Sequence, residues 1–134
     1  MKHTVKQVKG KMGEQWACQW MVLKGYKILD RNWKSGVHEI DMVCTDGKRL
    51  IFVEVRSRFC ATKSFPEASV WLLKQTSLQK ATRKYLSENI TQLPVRQDVV
   101  GVRFSAWGRQ LLHIPDAFNA CNSTSVTHSS KLYY

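Results

Sequence analysis

Two apolar segments, residues 37–45 and 49–56, flank the dipeptide Asp46-Gly47, and each carries a carboxylate among its apolar side chains. Asp-Gly between two such runs is a strong hairpin signal, because the turn needs backbone conformations that Gly adopts without steric cost. Side chains alternate across a strand, so Glu39, Asp41 and Val43 share one face of the first segment. Leu50, Phe52, Glu54 and Arg56 share one face of the second. With the turn at Asp46-Gly47, Asp41 lies opposite Phe52 and Glu39 opposite Glu54. Asp41 and Glu54 are then diagonal neighbours, with Cα atoms roughly 7–8 Å apart. Burying a carboxylate within Leu50-Ile51-Phe52-Val53-Glu54-Val55 is costly without a compensating partner, and a second acid beside it adds to the cost. A hard divalent cation with oxygen ligands answers both problems, and Mg²⁺ needs only one or two carboxylates. An ion pair of Glu54 with Arg56 or Arg58, and of Asp41 with a lysine, answers them equally. Spacing alone leaves both open.

The 134-residue length suits one domain with one core. A net charge of +11, from 21 Lys and Arg against 10 Asp and Glu, favours a polyanionic partner, and nucleic acid is the commonest one. Solubility, or an anionic membrane surface, is the plainer reading of the same charge. No stretch approaches the ~20 apolar residues of a membrane span, and residues 1–11 are basic without the apolar core of a signal segment. The expectation is a cytoplasmic protein with no membrane association. Cys18, Cys44, Cys60 and Cys121 form no C-x-x-C pair, which argues against zinc. The apolar neighbours of Cys18 and Cys44 favour reduced, partly buried thiols.

Residues 5–24 read as a helix ending at Gly25, the place of a left-handed cap. Val5, Val8, Met12, Trp16, Trp20 and Leu23 recur at helical steps as its apolar face. Gly10, Glu14, Ala17, Cys18 and Met21 make a neighbouring face of mostly small side chains. Gly10 and Gly13 each cost the helix about 1 kcal/mol relative to Ala, which points to close approach of another backbone and places Glu14 on the face that meets the sheet. Residues 26–32 read as a strand, 34–36 as a turn, 57–65 as a polar loop and 66–86 as a second helix. Val70, Leu73, Ser77, Ala81 and Tyr85 give that helix its buried spacing. Residues 95–105 and 109–114 read as two further strands. The order α-β-β-β-α-β-β predicts an α/β domain over residues 1–118, with a central mixed five-stranded sheet flanked by helices. Residues 119–134 are polar and Ser/Thr-rich, the composition of a flexible tail.

Asp41 followed by Glu54-Val55-Arg56 on an apolar strand resembles the signature of the PD-(D/E)xK nuclease superfamily. Gly10-x-x-Gly13-Glu14-x-x-Ala17, Gly25-Tyr26-x-Ile28-Leu29-x-Arg31-Asn32, Glu39-Ile40-Asp41, Phe52-Val53-Glu54-Val55-Arg56-x-Arg58, Lys74 and Asp98-Val99-Val100 occur in order between Lys9 and Phe118. Together they resemble the YraN-like family, small bacterial proteins with a restriction-endonuclease-like fold similar to archaeal Holliday-junction resolvases. The resemblance implies Asp41 and Glu54 as ligands of Mg²⁺ or Mn²⁺, with the Val55 carbonyl assisting. It implies Glu14 as a further acid acting directly or through water, and Arg56 and Lys74 as cations of the site. The implied activity is metal-dependent hydrolysis of DNA phosphodiesters, with branched structures as candidate substrates and a homodimer as the matching assembly.

Where the superfamily has lysine, this chain has Arg56, which stays protonated in proteins and cannot serve as a base. The alternative is a nuclease-fold module that binds nucleic acid or a protein partner without turnover. The family's usual Gly-Glu-Ile-Asp is here His38-Glu39-Ile40-Asp41, and alternation sends His38 to the face away from Asp41. Lys63, Lys74, Lys80, Arg83, Lys84, Arg96, Arg103 and Arg109 are candidate phosphate contacts. Asp98 reads as a structural hydrogen-bonding residue, and Trp33, Trp71 and Trp107 as core rather than as base-stacking platforms.

Overall fold

Helix α1 (Val5–Leu23) opens the computed structural model, which describes residues 4–59, 68–106, 108–118 and 132–133. Thr4 caps it reciprocally with Gln7: the Thr4 hydroxyl accepts the Gln7 N–H at 3.3 Å, and the Thr4 N–H donates to Gln7 Oε1 at 2.9 Å. Gly25, with φ of 94°, ends the helix in the left-handed region expected of it. Strands β1 (Lys27–Ser35), β2 (His38–Thr45) and β3 (Leu50–Phe59) follow as an antiparallel meander. Helix α2 (Ala68–Glu88) crosses to β4 (Val95–Ser105), which lies parallel to β3, and β5 (Gly108–Ile114) returns antiparallel. This is the order and the mixed sheet read from the sequence.

Two strands run three residues further than that reading, and one strand is added. β1 runs to Ser35, so the turn falls at Gly36 and Val37. β3 runs to Phe59, so residues 57–59 are strand rather than loop, while 60–67 lie outside the described residues. A sixth strand, β6 (Leu132–Tyr133), pairs with Leu112 and His113 of β5. Among the described residues the five-stranded mixed sheet read from the sequence thus gains this short edge strand, in the order β1 to β6. Part of the 119–134 segment, read as a tail, thus belongs to the sheet. Two residues pairing at an edge need no apolar alternation, so composition carried no sign of them.

The helices cover opposite faces of the sheet. On one, Ala17, Trp20 and Met21 of α1 pack with Met42, Cys44, Ile51, Val53, Val100 and Val102. On the other, Leu78, Ala81 and Tyr85 of α2 pack with Ile40, Val43, Phe52 and Val99. Each large apolar side chain fully buried here contributes about 1.5–3 kcal/mol. Tyr85 ties its face together: its hydroxyl donates to Asp30 Oδ2 at 2.7 Å, and its ring meets Trp33 and Phe52 edge-on at 5.2 and 5.3 Å. Trp33 is thus a core residue; the Trp71 side chain and Trp107 lie outside the described residues. On α2, Ser77 is exposed and Leu78 takes the buried position expected of it.

The buried side of α1 joins the small-residue face to the C-terminal part of the apolar one. Gly13, Ala17, Trp20 and Met21 are buried and Trp16 is half-buried, whereas Val8, Met12 and Leu23 of the expected apolar face are 44%, 51% and 85% exposed. The cause is backbone proximity: a Cβ on Gly13 would lie 1.8 Å from Ser57 Oγ and 2.9 Å from Ser57 Cβ. Only a face of small residues lets α1 come that close to β3. Gly10 has open space around its Cα and is not part of this contact. Overpacking costs about 1–3 kcal/mol, more than the ~1 kcal/mol that Ala adds over Gly in a helix. Gly13→Ala is therefore expected to lower stability in urea denaturation, and Ser57→Gly in the same chain to recover part of the loss.

Cys44 is buried and Cys18 half-buried, and neither forms a disulfide. Burial pushes the Cys44 thiol up to about 12, so it stays protonated and unreactive. Cys60 and Cys121 lie outside the described residues. Among the described residues no helix is long and apolar enough to cross a membrane.

Candidate active site

The site begins with the loop that sets its register. Asp46 Oδ1 accepts the N–H groups of Lys48 and Arg49 at 2.9 and 2.8 Å. Thr45 Oγ1 accepts the Gly47 N–H at 3.0 Å and donates to the Arg49 carbonyl at 2.7 Å. These bonds close a four-residue loop, 46–49, in place of the two-residue turn expected, and Thr45 pairs with Leu50. The strands are consequently shifted: Val43, not Asp41, faces Phe52. Continuing that register brings Asp41 level with Glu54. Glu39, expected opposite Glu54, pairs instead with Lys34 of β1.

The pairing of β2 with β3 stops at Met42 and Val53. Beyond it, β2 continues on β1 as far as His38, and β3 continues on β4 as far as Phe59. The two central strands therefore part at Asp41 and Glu54. The Asp41 carboxylate spans the opening, where Oδ2 accepts the Val55 N–H at 2.8 Å.

β2 also changes face at this point. Ile40 and Val43, three residues apart, both belong to the α2-side core, while Met42 and Cys44 belong to the α1-side core. Strict alternation would place Ile40 with Met42. The shift occurs at Asp41, level with Asn32 of β1, whose φ of 50° marks the same irregularity. It corrects the placement of His38, which lines the same cleft as Asp41. That cleft, about 360 Å³ in volume, is bounded by His38, Glu39 and Asp41 of β2, Glu54 of β3, and Ser77 and Lys80 of α2. His38 depends on this break in periodicity, and Ser77, read as part of the buried face of α2, is exposed on the cleft wall instead.

The electrostatics gather around the carboxylates. Burial raises the Glu14 carboxyl above its ordinary value, and the charges of Asp41 and then Glu39 raise it further, against Arg31 and Lys34. The resemblance named Glu14, Asp41 and Glu54 together, and Glu14 does feel the Asp41 charge. Arg56 Nη2 lies 2.8 Å from Glu54 Oε1, with the side chains only 22% and 19% exposed. The contact is ionic without hydrogen-bond alignment, so Nη2 keeps no hydrogen-bond partner. It is the Glu54 ion pair that the spacing had left open.

Among the described residues no group of three His, Cys, Asp or Glu side chains could by itself hold a metal ion. Asp41 and Glu54 on one cleft suit the other mode, in which Mg²⁺ takes one or two carboxylates and fills its octahedron with water and phosphate. Glu14 is raised chiefly by its burial and does not line this cleft.

The candidate phosphate contacts divide. Lys80 lines the cleft. Arg83 and Lys84 are exposed on α2, with Lys84 3.5 Å from Glu88. Arg109 is exposed and stacks over Trp16 at 4.3 Å from the ring centroid. Arg103 is 5% exposed and bonds to Gln110, so it does not present its charge to a ligand. Arg96 is likewise committed: Nε and Nη2 donate to the two Asp98 oxygens at 2.8 Å each, and Nη2 also donates to the Tyr26 hydroxyl at 3.0 Å. Asp98 is fully buried and is also held by His113 Nε2 at 2.8 Å and the Asp116 N–H at 3.0 Å. An Arg-x-Asp pair on one face of an apolar strand was the signal for this network. Lys63 lies outside the described residues, as does the Lys74 side chain on α2.

A mixed sheet between two helices, in the order α-β-β-β-α-β-β, is the α/β architecture of the restriction-endonuclease-like class. The chain belongs to the uncharacterised protein family UPF0102, whose model matches residues 13–102; this is the YraN-like family that the ordered motifs resemble. It is similar to UPF0102 proteins of Anaeromyxobacter dehalogenans (38% identical over 115 residues, 85% of this chain and 86% of the relative) and Thermodesulfovibrio yellowstonii (36% over 109 residues, 81% and 94%). A UPF0102 protein of Thermotoga petrophila is 39% identical over 92 residues, 69% of this chain and 83% of the relative. Among solved structures it is similar to Pyrococcus furiosus SfsA in complex with Ca²⁺, with a TM-score of 0.31 and 14% identity over 82% of this chain. The match spans 63% of the SfsA chain.

Proposed function

We propose that the Asp41–Glu54 cleft binds one Mg²⁺ or Mn²⁺ and hydrolyses phosphodiester bonds of DNA, with branched or otherwise unpaired structures as the substrate class. The observation that carries this reading is the meeting of Asp41 and Glu54 where β2 and β3 part, in a chain of net charge +11. Membership of UPF0102 supports a nuclease-like role and names no substrate. A bound divalent cation would polarise the phosphodiester and lower the pKa of an attacking water. The chain's own residues prepare the place. The Val55 N–H holds Asp41 Oδ2, and the Val55 carbonyl is the backbone oxygen that the resemblance assigns to the metal. Arg56 lies against Glu54 at 2.8 Å and, always protonated itself, accepts no proton from water. Glu14 adds a carboxyl whose ionisation a nearby cation favours.

Cleavage of branched, nicked and single-stranded DNA with Mg²⁺ or Mn²⁺, lost on Asp41→Asn, is the expected result; intact substrate in every case sinks the reading. Glu14→Gln removes one of the repelling carboxylates. It is expected to raise the melting temperature by roughly 1–2 °C in EDTA, a small effect because the group is half-exposed, and to weaken Mn²⁺ binding in scanning fluorimetry. A homodimer would match the two-fold symmetry of branched DNA, and sedimentation with and without a four-way junction tests it. The Arg56–Glu54 contact favours a second reading, a nuclease-fold module that binds nucleic acid without turnover. Steeply salt-dependent DNA binding, indifferent to divalent cations, would mark it.

A further inference from the structure

We propose that Lys80 of α2 is the residue that contacts the phosphate entering the Asp41–Glu54 cleft. This rests on the reading of the cleft as a nucleic-acid site. The β-strand side of the cleft is acidic, with Glu39, Asp41 and Glu54 on it. These carboxylates repel a phosphodiester, and a cation of the protein on the facing wall offsets that repulsion. Arg56 is poorly placed for this: it is about four-fifths buried, and Glu54 already opposes its charge at 2.8 Å. Arg31 and Lys34 act from β1, where their fields reach Glu14.

Among the described lysines and arginines, Lys80 is the one that lines the cleft itself, with His38 on the opposite wall. It comes from a different element than the acids, on the α2 wall facing them. Its side chain is exposed, so its head is accessible to a ligand. A lysine ammonium on a flexible stem, with three donors, can follow a phosphate oxygen as it approaches. Ser77, three residues earlier on the same helix face, adds a hydroxyl to that wall. The cleft thus has an acidic wall for a cation and a wall of donors for the anion that the cation would hold.

The test uses the full chain and a fluorescein-labelled four-way DNA junction, with anisotropy followed over a salt series in EDTA. Lys80→Met is expected to weaken binding about three- to tenfold at low salt, and to reduce the slope of log affinity against log salt by about 0.9, one phosphate contact. Lys80→Arg should restore both. Lys48→Met, in the exposed loop beyond the far end of the hairpin, removes the same net charge and should leave the slope unchanged. Mn²⁺ affinity, read by calorimetry, should be unchanged or tighter in Lys80→Met, because a like charge beside the cation is gone. Equal effects of Lys80→Met and Lys48→Met, or loss of Mn²⁺ binding in Lys80→Met, would overturn the assignment. So would a wild-type chain that binds no DNA. If the Lys80 pattern holds while the wild-type chain neither binds Mn²⁺ nor cleaves, the nuclease reading fails and the phosphate contact stands.

Discussion

Asp41→Asn is expected to abolish divalent-cation binding and to slow DNA cleavage by on the order of 10³-fold or more, with the fold intact. The substitution keeps shape and removes charge. The carboxamide oxygen can still accept the Val55 N–H, which the wild-type carboxylate holds at 2.8 Å, so the parting of β2 and β3 is preserved. What disappears is one of the negative charges on the acidic wall of the cleft, where Glu39 and Glu54 remain. The Glu14 carboxyl, raised in part by Asp41, should fall back toward its ordinary value. Calorimetric Mn²⁺ titration and single-turnover cleavage, with a melting curve as control, measure the three effects. Mn²⁺ binding of wild-type strength in the Asn variant would remove Asp41 from the site. Asp41→Ala is a less clean probe: it leaves the Val55 N–H without its acceptor, which costs about 1–3 kcal/mol if water cannot replace it.

Asp98→Ala should be the most destabilising single change in the described core, costing about 3–5 kcal/mol. That is a large share of the 5–15 kcal/mol typical of a domain. Asp98 is fully buried and is the common acceptor for Arg96, His113 and the Asp116 N–H. Removing it strands the Arg96 charge beside Tyr26 in a site only 11% exposed. The same network predicts the response to acid. Burial alone would raise the Asp98 carboxyl, but the bonds from His113, Arg96 and Asp116 outweigh it and hold the group below its ordinary value of 3.8. On acidification the unfolded chain therefore takes up this proton first. The stabilisation is complete above the ordinary value and is lost as pH falls below it, through the lower value of the folded state. Urea denaturation at neutral pH, and again down through the carboxylate range, checks both effects. The Asp98→Ala chain should lack the wild-type loss in the acid limb.

Much of this architecture is written locally. The helical steps from Val5 to Leu23, the cap at Gly25 and the apolar strand runs around Asp46-Gly47 each specify an element through nearest neighbours along the chain, which is why the α-β-β-β-α-β-β order could be read without coordinates. Which face of α1 is buried was a different matter. The glycines pointed to close approach of the small-residue face, and Trp20 of the apolar stripe is buried as expected, whereas Val8 and Met12 of that stripe stay exposed. The deciding quantity was the distance between α1 and Ser57 of β3, a contact between residues far apart in sequence.

The candidate site divides in the same way. Residue identity and spacing alone place two acids in apolar strands either side of a hairpin, in a basic chain, with an arginine two residues after Glu54. How these groups meet follows from packing. Side-chain bonds of Thr45 and Asp46 lengthened the hairpin loop and reset its register, and the face change at Asp41 turned His38 toward the cleft. Buried Asp98 drew Arg96 out of the pool of available cations, and α2 brought Lys80 to the carboxylates. Identity and spacing are properties of the chain, and periodicity turns them into elements. Register, partnership and the choice of buried face depend on side chains that are distant in sequence and competing for the same space and the same charges, so they are settled only when the elements pack.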